Sequence, residues 1–111
     1  MTIINQSLLL NIEQDVVQDI IKKFDPDKIL LFGSYAYGNA NEDSDIDFLV
    51  VMSQPPKLQN AYLKIAEISQ RLLIPIQILF IDKERFEETK DVVGGVAYPA
   101  YHQGKVLYER T

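Results

Sequence analysis

Asp45-Ile46-Asp47 and a Gly33-Ser34 pair, separated by ten residues, are the parts of this chain whose types and spacing suit chemistry. The two carboxylates stand at the head of a hydrophobic run, Ile46 to Met52. In an extended strand, residues i and i+2 share a face and lie about 6.6 Å apart along the chain, so both acids can aim at one point. Two oxygen donors of that kind suit a hard divalent cation, because Mg²⁺ commonly binds through one or two carboxylates plus substrate phosphates. Glycine lets a backbone approach a ligand closely, and amides at the start of a helix favour anions. Metal on one side and phosphate on the other is the constellation for phosphoryl or nucleotidyl transfer.

Three hydrophobic segments must hold these groups in place. Lys28 to Phe32 reads as a first strand, and its continuous apolar character predicts burial on both faces. Ser34 to Gly38 is expected as a short helical turn and Asn39 to Ser44 as a polar loop. Asp45 to Met52 is the second strand, with Ile46, Phe48 and Val50 opposite the carboxylates. A Pro-containing turn leads to a helix over residues 58–73, whose apolar face carries Ala61, Tyr62, Ile65, Ile68 and Leu72. Pro75 opens a third strand running to Ile81. Before all of these, Asn11 with Gln14 fits a capping box. The stripe Val16, Val17, Ile20, Ile21, Phe24 then gives a helix that Asp25-Pro26-Asp27 ends. Near the C-terminus Asp82 caps a helix to Lys90, Gly94-Gly95 makes a turn, and residues 96–103 form a last helix that Gly104 closes as a C-cap. Val106 to Tyr108 adds an edge strand.

The run LFGSYAYGNANEDSDIDFLVV resembles the DNA polymerase β-type nucleotidyltransferase superfamily, in particular its minimal nucleotidyltransferase branch. Gly104-Lys105-Val106-Leu107-Tyr108 matches the branch's Gly-x-hydrophobic-Leu-Tyr ending, so the resemblance covers nearly the whole chain. It implies an α/β (α+β) fold in its smallest form, a small mixed sheet with helices packed on one side, as a single domain over residues 1–111. It gives Gly33 and Ser34 the nucleotide triphosphate, and Asp45 and Asp47 the catalytic Mg²⁺, with room for two ions. The family's third carboxylate falls at Gln77, whose amide carries no charge and accepts no proton as a base does. General-base help is worth about 10²–10⁴ in rate, so this departure bears on turnover. The resemblance implies transfer of AMP from ATP to a hydroxyl of a partner protein, with the chain as antitoxin to a HEPN-domain toxin. A binding module of the same fold, docking on a HEPN partner with little or no catalysis, is the other reading that Gln77 leaves open. The resemblance also admits a homodimer.

Composition narrows the partners. The formal net charge is −5 and no basic run offsets it, which disfavours nucleic acid, whose binding rests on Lys and Arg. With no cysteine, disulfides and thiolate metal sites are excluded, in keeping with a cytoplasmic location. Apolar runs are strand-length, short of the roughly 20 residues of a membrane helix, and no signal peptide is evident. Glu42 and Asp43 read as a loop tip, Asp82 as a helix cap and His102 as a surface residue. Tyr98, Tyr101 and Tyr108 read as ordinary packing or a partner-binding patch. Tyr35 and Tyr37 flank the phosphate turn.

Overall fold

The computed structural model describes residues 5–72 and 74–110. Nine elements follow in order: α1 Gln6–Phe24, β1 Lys28–Phe32, α2 Ser34–Tyr37, β2 Ile46–Met52, α3 Leu58–Leu72, β3 Ile76–Asp82, α4 Lys83–Thr89, α5 Ala97–Gln103 and β4 Lys105–Glu109. The strands form one mixed sheet in the order β3-β2-β1-β4. β1 pairs antiparallel with both β2 and β4, and β2 pairs parallel with β3. The two central strands are the most continuously apolar ones: Ile29, Leu30, Leu31 and residues 48–51 are buried on both faces.

The α+β class and the mixed sheet stand as expected, but the helices cover both faces, not one. On one face α1 and α3 close over Ile29, Leu31, Ile46, Phe48 and Val50. On the other, the short helices α4 and α5 pack Phe86, Ala97 and Ala100 against Leu30, Leu49, Val51 and Ile81. The reason lies in the strand residues: both parities of β1 and β2 are apolar, so each face needs a cover. Alanines on α5 let a short helix lie close to the sheet without a long amphipathic stripe to announce it.

The first helix begins earlier than the Asn11 cap predicts. Asn5 is the cap, its side-chain oxygen accepting from the Leu8 N–H at 2.8 Å, and Leu9 and Ile12 are already buried. The leucine run thus belongs to the helix, and Asn11 lies within it. The end is as expected, with Asp25 in a left-handed conformation. Gly104 closes α5 for a different reason from the usual left-handed cap: its φ is −84°, and a Cβ there would overlap the Ala100 carbonyl oxygen and lie 2.5 Å from that of Leu31. It is a close-approach glycine where α5 turns into β4.

β4 is the expected edge strand, with a bulge opposite Ile29/Leu30 that turns both Leu107 and Tyr108 toward the α1 core. Its Lys105 reaches back to the buried Glu13 of α1 at 3.1 Å. Arg110 then ties the chain end to the Asp25 carboxylate at 2.8 Å. Among the described residues, no helix is long and apolar enough to cross a membrane. Leu73, expected on the second helix, lies outside the described residues.

Candidate active site

The site is built where β1 ends and β2 begins. Phe32 and Asp47 are register partners across the antiparallel pair, so the residue after Phe32 arrives beside Asp47. That residue is Gly33, with φ 76° and ψ −163°, a conformation open essentially to glycine alone. A methyl group at position 33 would overlap Asp47 Oδ2 and stand 3.0 Å from its Cγ. The bend and the carboxylate are therefore in direct contact. α2 starts at once from the bend: the amides of Ala36 and Tyr37 both donate to the Gly33 carbonyl at 3.0 Å. The amides of Ser34 and Tyr35 precede the first bond within this helix and are left for another acceptor.

The polar loop brings the acids in from the other side. The Asn41 side chain accepts from the Asp43 amide at 2.8 Å, and the Ser44 hydroxyl accepts from the Asn41 amide at 2.9 Å. This closes a tight turn with Glu42 and Asp43 exposed at its tip, as expected for them. β2 starts one residue later than expected, so Asp45 is the residue just before it and is exposed; Asp47 is half-buried. Burial, and then the neighbouring charge of Asp45, push the Asp47 carboxyl above its ordinary value. The two acids stand two residues apart at the head of β2, and like charges there repel. No ion pair among the described residues involves either of them. A close, uncompensated carboxylate pair beside a glycine cradle has the charge and the oxygen donors that a divalent cation with a bound phosphate requires.

Gln77 lies beside Asp47 in the parallel β2–β3 ladder, and the Ile46 amide donating to the Pro75 carbonyl at 3.1 Å fixes that register. In this ladder, register neighbours share a face about 4.8 Å apart, so Gln77, which is exposed, stands beside Asp47 on the same face. Among the described residues there is no group of three or more His, Cys, Asp or Glu side chains that could hold a metal ion. Ile46, Phe48 and Val50 point to the opposite face, into the α1 core.

The other candidates fall outside the site. Asp82 pairs with Met52 at the far end of β3 and caps α4, accepting from the amides of Glu84 and Arg85 at 2.8 and 3.2 Å. His102 is a partly exposed surface residue whose Nε2 meets Asp91 Oδ1 at 2.9 Å, between the rings of Tyr98 and Tyr101. Tyr108 and Tyr35 pack on the α1 core, whereas Tyr37 is exposed. Phe32 is the site residue that reading the sequence passes over, because its only signal is its place one residue before the bend.

Comparison with known proteins gives the family. The family model described as nucleotidyltransferase domain matches residues 14–98. "Putative protein adenylyltransferase MJ0141" of Methanocaldococcus jannaschii is 36% identical over 73 residues, covering 64% of this chain and 73% of the relative. A crystal structure of a toxin-antitoxin with AMP-PNP superposes with a TM-score of 0.69 at 19% identity, over 88% of this chain and 73% of that one. A tri-AMPylated Shewanella oneidensis HEPN toxin in complex with MNT antitoxin gives a TM-score of 0.62 at 18% identity, over 91% of this chain and 72% of that one. The last two show a shared fold. The family match spans most of the chain and takes in the bend, both acids and Gln77: this chain belongs to the nucleotidyltransferase domain family.

Proposed function

We propose that the chain transfers AMP from ATP to a hydroxyl group of a partner protein, a HEPN-domain toxin that it neutralises as an antitoxin. The observation that carries the site is the contact of Gly33 with Asp47, with Asp45 two residues before it at the head of β2. The protein partner rests on what is said of the relatives: one is named for protein adenylyl transfer, and another belongs to a complex with an AMPylated HEPN toxin.

Asp45 and Asp47 would hold Mg²⁺, which when bound neutralises phosphate charge and favours departure of pyrophosphate. Ser34 and the free amides of the bend hold the triphosphate tail, with Gly33 allowing the close approach. The acceptor oxygen bonds to the α-phosphorus, the α–β bridging bond breaks, and pyrophosphate leaves. The hydroxyl proton passes to solvent, since the Gln77 amide is no base. The absence of that base predicts a slow enzyme, short by about 10²–10⁴ of a base-assisted one.

The exposed amide of Gln77 beside Asp47 also supports a second reading, a docking module with little turnover. One experiment separates the two. The chain is incubated with α-labelled ATP, Mg²⁺ and a HEPN-domain partner, alongside Gln77→Asp and the double variant Asp45→Asn/Asp47→Asn. Label on the partner from the natural chain and none from the double variant supports the enzyme. Label only with Gln77→Asp supports the docking module. Equal label with and without the two acids contradicts both.

A further inference from the structure

We infer that Gln77 limits this protein to one divalent cation per bound nucleotide, taken up together with the nucleotide and not ahead of it; this rests on the metal–triphosphate site proposed above. The donors at this end of the sheet are two carboxylates and one neutral amide. Asp47 has Gln77 as its β3 neighbour and Phe32 as its β1 neighbour, so neither adjoining strand brings a third negative charge. The other candidate acids stand elsewhere. Glu42 and Asp43 are exposed at the tip of a loop closed by Asn41 and Ser44. Asp82 caps α4 at the opposite end of β3.

Charge and coordination then set the count. A pair of ions about 3.5–4 Å apart needs two sets of oxygen donors, and the protein offers two carboxylates and one neutral amide for both. A single Mg²⁺ needs six oxygens at short range and dehydrates reluctantly. Asp45 and Asp47 supply too few to hold it firmly alone, while a triphosphate completes the set and brings its own charge. Binding of metal and nucleotide is therefore coupled, each raising the affinity for the other by the same factor. The exposure of Gln77 makes it the position where one substitution changes the count without disturbing the core.

The test is equilibrium dialysis of the full chain against Mn²⁺, with and without a non-hydrolysable α,β-methylene ATP analogue. Gln77→Asp and Gln77→Glu are run in parallel, and their thermal melts verify folding. The natural chain should bind one Mn²⁺ per bound nucleotide, and Mn²⁺ alone at least tenfold more weakly. Folded Gln77→Asp or Gln77→Glu should bind two and should hold Mn²⁺ more tightly without nucleotide. Two ions on the natural chain, equal Mn²⁺ affinity without nucleotide, or one ion on both folded variants overturns the inference and leaves the proposed function standing. No nucleotide bound to the natural chain removes the proposed function and this inference with it.

Discussion

At the scale of single residues, Gly33 and Asp47 carry the stability cost of the proposed site. The Asp47 carboxyl is raised by burial and by Asp45, so its charged form costs the fold free energy. A raised folded-state value means a favourable contribution below the unfolded value that is lost as pH rises through the folded one. Metal-free Asp47→Asn should therefore melt at a higher temperature than the natural chain at pH 7, and the gain should shrink as pH falls below the carboxylate range. Melting curves at pH 7 and pH 3 check this; an equal or lower Tm for the variant at pH 7 contradicts it. Gly33→Ala puts a Cβ into the Asp47 carboxylate at a backbone conformation with φ 76°. It should lose about 1–3 kcal/mol in urea unfolding and weaken nucleotide binding as well, whereas Gly38→Ala, with no atom within 4 Å of the added Cβ, should meet only the strain of its own φ.

At the scale of elements, helix ends and close approaches decide what a substitution does. Asn5→Ala removes the cap bond to Leu8 and should cost about 1 kcal/mol; Asn11→Ala, inside α1, should cost less or stabilise, and chemical denaturation of the pair tells them apart. Gly104→Ala forces a Cβ between the carbonyls of Ala100 and Leu31 and should cost about 1–3 kcal/mol by overpacking, loosening α5 from β1. Hydrogen exchange at Ala100 and Lys105 reports that loosening. The strands, α2, α3 and α4 were legible because their signals are local: apolar runs, a Gly-Ser turn, an Asp before a charged helix. The register of Gln77 against Asp47 was legible because strand parity and adjacency leave little choice. The start of α1 was not, since the alternative Asn11 cap has the stronger capping box and Asn5 precedes a leucine run without a clear period. The second helical face was hidden because α4 and α5 are seven residues each, too short to display an amphipathic repeat. The contact of Gly33 with Asp47 depends on pairing between strands, which no local pattern records.

At the scale of the whole molecule, two cores share one sheet, and the site occupies the end that neither fully covers. The α1–α3 core holds the central strands from one side, while α4 and α5 seal the lower rows of the other face. Phe32, in the row of Asp47 and Gln77, and Leu79, two residues along β3 from Gln77, are only partly buried at the border of that second core. A rigid sheet with one open end positions acids and bend before any ligand arrives, so binding should sharpen the site without repacking the cores. Paramagnetic NMR tests this most directly. A ¹H–¹⁵N spectrum of the chain is recorded as Mn²⁺ and the α,β-methylene ATP analogue are added. The amides of Gly33, Ser34, Asp45, Asp47 and Gln77 should broaden first and together, and those of Ser53, Asp82 and Glu84, at the opposite end of the sheet, should stay sharp. Broadening centred on that opposite end, or none near Gly33 and Asp47 at saturating nucleotide, would contradict the account.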